Sequence, residues 1–209
     1  HARYLDDLAV AREDGSATAP AVFLSGNGPL VAVLQYEMRL AGDGKTFVRG
    51  VKEYVKRYSS KRSLVPPEHV LVFDEAQRAF DSDKMRESHN SEHARSEPEE
   101  FISFADRIPE WCVVVGLIGS GQEIHVGEEA GLAQWRTAVE SSAKQAEWTI
   151  HAPPAVAGLF RGGTVQFEQK AVLNLDVELR FHQARDLHKW VAELLAGAKS
   201  DALASIASQ

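Results

Sequence analysis

Only one cysteine, Cys112, occurs among the 209 residues, so neither an internal disulfide nor a cysteine metal cluster can form within the chain. That usage fits a reducing, cytoplasmic setting. No apolar run approaches the roughly 20 residues that a membrane-spanning helix requires. The opening His1-Ala2-Arg3-Tyr4 has no signal-peptide character. A membrane partner is therefore not expected. Positive charge is also short: 23 Lys and Arg stand against 30 Asp and Glu, for a net charge of -7. The surface as a whole does not attract nucleic acid, so any such attraction must come from local basic patches. A starting methionine is missing too, so an upstream segment is expected. What is present is ordinary for a folded domain: 44% hydrophobic and 25% charged residues, with length enough for one large core.

Along the chain, strand and helix signals alternate. Residues 3–12 read as a helix with Tyr4, Leu5, Leu8 and Ala11 on one side. Residues 21–24 read as a short buried strand, and residues 30–40 as a helix. A further helix is expected over residues 46–59, where Phe47, Val51, Tyr54 and Tyr58 recur at helical spacing. Residues 70–73 are a strand. Residues 81–100 are polar and charged and read as a flexible loop. Within its end, Ser96-Glu97-Pro98-Glu99 has the form of a capping box that opens a helix to Asp106. The apolar run 112–118 reads as a central parallel strand covered on both faces. Residues 128–144 read as an amphipathic helix. Short strands are expected at 148–151 and 165–167, and an alternating strand at 172–179. A helix at 184–195 would turn Leu187, Trp190, Val191 and Leu194 inward. The tail 197–209 reads as frayed. Such alternation predicts an α/β fold with a mostly parallel sheet flanked by helices.

Four constellations carry chemistry. In Val70-Leu71-Val72-Phe73-Asp74-Glu75-Ala76-Gln77-Arg78, an apolar strand ends in adjacent carboxylates. In nucleoside-triphosphate hydrolases the first such acid holds Mg2+ through water and the second polarises the attacking water. Asp74 and Glu75 stand in that order. The bland alternative is a strand entering a polar loop. In the second, residues 116–124, a buried strand runs into Gly119-Ser120-Gly121 and presents Gln122, either as a γ-phosphate contact or as an exposed side chain of a tight turn. Third, Phe23-Leu24 runs into Ser25-Gly26-Asn27-Gly28-Pro29. This is a strand exit whose amides and short donors suit a phosphodiester or nucleotide. It also suits a plain strand-to-helix turn. Fourth, Leu173-Asn174-Leu175-Asp176-Val177-Glu178-Leu179-Arg180 ends on an arginine able to reach a phosphate or to make a surface ion pair. Beside these, Lys45, Arg49, Lys52, Lys56, Arg57, Lys61 and Arg62 crowd one helical stretch with Glu53 their only acid. They can track a phosphate backbone or form a solvated face. His89 and His93 share helical metal-site spacing but have no third ligand.

Taken in this order, segments 23–34, 70–78, 114–135 and 173–191 resemble the core of a superfamily 1 helicase-type P-loop NTPase. The nearest likeness is to the bacterial helicase-like family related to the helicase domain of Schlafen proteins. The run Gly121-Gln122-Glu123-Ile124 followed by Gly127-Glu128-Glu129-Ala130-Gly131-Leu132-Ala133-Gln134-Trp135 is especially characteristic. The resemblance implies a three-layer, RecA-like fold with ATP and Mg2+ as cofactors and nucleic acid, DNA or RNA, as partner. It makes Asp74 and Glu75 the Walker B pair, with Gln77 and Arg78 beside the nucleotide. Gln122 becomes the γ-phosphate sensor and Arg180 the arginine that opens a second motor lobe. It puts Ser25, Gly26, Asn27 and Gly28 near single-stranded nucleic acid, with Arg49, Lys52 and Lys56 as further phosphate contacts. One departure stands out. No G-x-x-x-x-G-K-[ST] loop occurs. Gly44-Lys45-Thr46 follows a predicted helix, and Arg39 stands five residues before Gly44. Residues 1–196 are therefore expected to be the middle of a longer motor that lacks the P-loop strand here and enters its second lobe near 172–196. The alternative is an inactive NTPase-like module that binds protein or nucleic acid.

Overall fold

β-Branched and aromatic residues with Gly or acidic stops define the first strands. A computed structural model describes residues 19–41, 47–61, 63–76, 95–119 and 128–175, with Trp190, Val191, Glu193, Leu194 and Gly197. The chain divides into two compact units, 1–169 and 170–209. In the first, β1 (Ala19–Ser25), β2 (Val48–Gly50), β3 (Glu68–Phe73) and β4 (Val113–Gly116) form one sheet in the order β2-β1-β3-β4. All three pairings are parallel, with Phe23 opposite both Val48 and Val72, and Val72 opposite Val115. Helix α1 (Gly28–Glu37) links β1 to β2, and α2 (Val51–Ser60) links β2 to β3. Helix α3 (Glu97–Ala105) precedes β4. The step from β1 to β2 runs one way across the sheet, while those from β2 to β3 and from β3 to β4 run the other. Right-handed crossovers then put α1 on one face and α2 and α3 on the opposite face. Helices thus flank a parallel sheet, as expected.

Packing agrees with that assignment. Val22, Leu24, Leu71 and Phe73 point to the same face and join Val51, Tyr54, Val55 and Tyr58 of α2 and Phe101, Phe104 and Ala105 of α3 in one buried cluster. Tyr54, Tyr58 and Phe104 contact edge-on or tilted, and Phe73 stacks on Phe101 at 4.9 Å between ring centres. Offset aromatic contacts of this kind favour burial beyond their area. The expected capping box is formed: Ser96 Oγ accepts from Glu99 N–H, and the Glu99 carboxylate accepts from Ser96 N–H. The expected loop therefore stops short of Ser96, and residues 81–94 lie outside the described residues.

Helix α4 (Glu128–Glu140) adds Trp135 to the main cluster. A second cluster of Ile102, Ala138, Val139 and Val165 joins α3 and α4 to a two-stranded parallel sheet, β5 (Thr149–Ala152) with β6 (Gln166–Gln169). Between these strands lies a short helix, α5 (Ala157–Phe160). Asp106 at the end of α3 accepts from Trp148 Nε1 and Ser142 Oγ, which fixes the turn after α4. Burial, reinforced by that carboxylate, pushes the Cys112 thiol up to about 12, so it stays an unreactive thiol at neutral pH.

Four expectations need correction. Residues 48–50 are strand β2, not the start of a helix. Helical spacing from Phe47 to Val51 is coincidental, because Val48–Gly50 pair beside Phe23–Ser25 and break the helix that begins again at Val51. The run 112–118 is not a central strand among the described residues. β4 pairs with β3 alone, and Val113 is 45% exposed. In the second unit, residues 171–173 form a 3-10 turn rather than the start of a strand, with Val172 and Leu175 exposed. Val191 and Leu194 are helical but exposed, not turned inward.

Candidate functional site

β1 and β3 are neighbours whose chains leave toward opposite faces. In a parallel sheet, that divergence opens a crevice beyond the carboxyl ends of the two strands. Ser25 closes β1 at this point and Asp74 follows β3. Asp74 N–H donates to the Leu24 carbonyl at 2.9 Å, and Ser25 Oγ donates to Asp74 Oδ2 at 3.0 Å. Ser25 is buried at 2% exposure, whereas Asp74 is half-buried.

The turn that carries the carboxylates is held on both sides. Ala76 N–H donates to the Leu117 carbonyl, and the Ala76 carbonyl accepts from Trp135 Nε1 at 2.9 Å. Between them Glu75 takes φ 54°, a left-handed conformation that glutamate seldom adopts. Such backbone persists where the surroundings over-determine it, and functional turns collect it. Gly116 lies against this turn. A Cβ there would come within 3.0 Å of the Ala76 side chain, so glycine lets β4 approach. The single Asp74 carboxylate has Oδ2 engaged by Ser25 and no hydrogen bond at Oδ1 among the described residues. That suits a hard divalent cation held through water, the arrangement in which Mg2+ leaves its other positions to phosphates and solvent. Among the described residues no cluster of three metal-ligating side chains exists to bind such an ion unaided.

On the far side of Ser25 lies an open groove of about 660 Å3. Ser25, Gly26 and Gly28 form one wall, and Arg49, Lys52 and Arg57 bring cations to the other. Asn27 caps α1, its Oδ1 accepting from Leu30 N–H, and Gly50 caps α2. Two helix N-termini and three cations, Arg49 among them paired with Glu68, share this concavity with a single acid, Glu53, and the cationic balance favours an anion. Arg49 also supports the fold. Its guanidinium pairs with Glu68 at 3.2 Å, and Glu68 is wholly buried. Tyr54 Oη donates to the other Glu68 oxygen at 2.9 Å. Burial, then the Glu68 carboxylate, drives the Tyr54 hydroxyl far above its ordinary pKa.

The residues read from the sequence thus divide. Asp74, with Glu75 next in the turn, meets Ser25 at the crevice, while Ser25, Gly26 and Gly28 share the groove with Arg49 and Lys52. Asn27 joins them through its cap and its hydrogen bond to Ser25. Lys56 is exposed on α2 but does not line the groove. Gln77, Arg78, Gln122 and Arg180 lie outside the described residues, as do His89, His93 and Gly44-Lys45-Thr46. Sequence reasoning misses Glu68 as a partner of the cations; an acid opening an apolar strand is its only signal. Arg57 is legible only as one member of the basic run.

Residues 5–209 match the sequence model of a family described as Schlafen group 3, DNA/RNA helicase domain. No curated protein and no solved structure matches the chain.

Proposed function

The chain belongs to the Schlafen group 3 DNA/RNA helicase-domain family, and on that premise we propose that it is the central part of a helicase-like ATPase. In this reading ATP hydrolysis at the β3 end is coupled to a nucleic-acid strand in the groove. The observation that carries it is the crevice itself, where a carboxylate pair and a cation-lined groove meet across one hydrogen bond. Mg2+, when bound with ATP, would supply charge neutralisation at the β- and γ-phosphates. Asp74 would hold it through a water at Oδ1. Glu75, set apart from Asp74 by its left-handed turn, would orient the attacking water and accept its proton. Gln122 and Arg180 would contact the γ-phosphate. Gln77 and Arg78 would flank the nucleotide. Gly26, Asn27 and Gly28 would meet the strand's phosphates with backbone amides, while Lys52 and Arg57 would supply charge. A P-loop strand would come from outside residues 1–209. Exposed Val113 and the pairing of β4 with β3 alone among the described residues support that arrangement, since such an edge could take one more parallel strand. The RecA-like fold and the second motor lobe belong to the same proposal.

The test is Glu75→Gln in the complete protein. It is expected to bind ATP normally and lose turnover by about 100-fold or more. Unchanged hydrolysis would refute the assignment. The groove alone favours a second reading, an inactive NTPase-like module that binds nucleic acid. That reading predicts salt-sensitive strand binding in a complete protein that never turns over ATP.

A further inference from the structure

Ser25 has a place that neither the acidic turn nor the groove explains alone. Its hydroxyl has a single proton, which goes to Asp74 Oδ2 at 3.0 Å, while its oxygen accepts from Asn27 N–H at 3.1 Å. Asn27 is itself tied to α1, because its side chain accepts from Leu30 N–H and its carbonyl from Val31 N–H at 3.0 Å. One continuous chain of hydrogen bonds therefore runs from the first turn of α1, which lines the groove, through Asn27 and Ser25 to Asp74. Buried as it is, Ser25 cannot replace either partner with solvent at no cost.

Resting on the proposed function, we infer that Ser25 is a positioning residue that restrains Asp74 until a polynucleotide fills the groove. A carboxylate oxygen already engaged by a hydroxyl is a poorer acceptor for a metal-bound water. With the groove empty, Asn27 N–H holds the Ser25 oxygen and the hydroxyl stays on Asp74. A phosphodiester oxygen among the amides of residues 26–28 competes for that same N–H. Once the N–H turns to the phosphate, the Ser25 hydroxyl is no longer polarised by that donor, its bond to Asp74 weakens, and Asp74 Oδ2 would be freer to hold the metal through water. The coupling is reciprocal for binding: whatever the strand adds to metal–nucleotide affinity, the metal–nucleotide adds to strand affinity.

The experiment uses the complete protein, with a single-stranded oligonucleotide as the groove ligand and Mn2+ as the metal probe. Ser25→Ala is expected to raise turnover without oligonucleotide by about 3- to 10-fold and to shrink the oligonucleotide's stimulation by the same factor. Mn2+ binding with ATP, followed by electron paramagnetic resonance, should tighten on adding oligonucleotide in the wild type. In Ser25→Ala it should be tight from the start. Ser25→Thr keeps the hydroxyl and should retain the wild-type response. A serine that merely supports the fold gives a different result: Ser25→Ala lowers turnover with and without oligonucleotide in equal proportion, and Mn2+ binding still responds. That outcome, an unchanged stimulation ratio, or a threonine variant that behaves like alanine overturns the restraint while leaving the ATPase reading intact. Wild-type protein whose turnover ignores oligonucleotide overturns the functional reading and the restraint together.

Discussion

β1 and β3 lie side by side in parallel register, Leu24 opposite Phe73, and bury the same face against α2 and α3. Their exits nevertheless differ in chemistry. β1 leaves through a buried hydroxyl that donates to Asp74 and through exposed glycines into a helix N-terminus. β3 leaves through two adjacent carboxylates in a turn held by hydrogen bonds to Leu24, Leu117 and Trp135. Equivalent strands thus place a glycine loop rich in free amides beside a turn that carries two carboxylates. The strands themselves supply only position. Under the proposed function this separation across one strand spacing would let the two exits serve two ligands; the Ser25–Asp74 bond is where the exits touch.

That contrast can be broken most severely at β3. Asp74→Asn in the complete protein is expected to cut turnover by about 100-fold or more while oligonucleotide affinity, read by fluorescence anisotropy, changes little. Equal loss of both would mean the exits are not separate sites. On the β1 side, Lys52→Ala with Arg57→Ala should weaken oligonucleotide binding about tenfold and flatten its salt dependence by about 1.4 in log–log slope. Turnover without oligonucleotide should hold steady. A smaller effect is expected beneath the groove. Tyr54→Phe removes the donor to buried Glu68 and should destabilise the fold by about 1–3 kcal/mol in chemical denaturation.

Tyr54 also sets a pH signature. Its folded pKa is raised, first by burial and then by Glu68, so its contribution is intact below the unfolded value near 10 and is lost as pH climbs beyond it. Wild-type stability should therefore fall more steeply above pH 10 than that of Tyr54→Phe, measured by denaturant midpoints. The smallest effect belongs to Lys56→Ala. Because Lys56 stands off the groove, oligonucleotide affinity should change by less than about twofold.

Much of this is legible from local pattern. The Ser96 capping box, the burial of Val51, Tyr54 and Tyr58 on one helical face and the strand that stops before Asp74 all follow from contacts within a few residues, where spacing decides geometry. β2 is not legible, since three residues carry too little periodicity to compete with an adjoining helix. Nor is the position of β4: an apolar run signals burial but cannot say how many neighbours lie beside it. The basic run reads as one patch in the sequence, yet the fold sorts it. Arg49 turns to Glu68, Lys52 and Arg57 line the groove, and Lys56 stands outside.

By itself, then, the sequence determined the family, the alternation of strands and helices, and which residues carry charge at the strand ends. These depend on composition and short-range spacing. Only the tertiary structure decided that Ser25 and Asp74, 49 positions apart, share a proton donor and acceptor, and that the glycine loop and the α2 cations face one groove. Both outcomes depend on strand order and crossover hand, which bring distant segments together and leave no local trace in the chain.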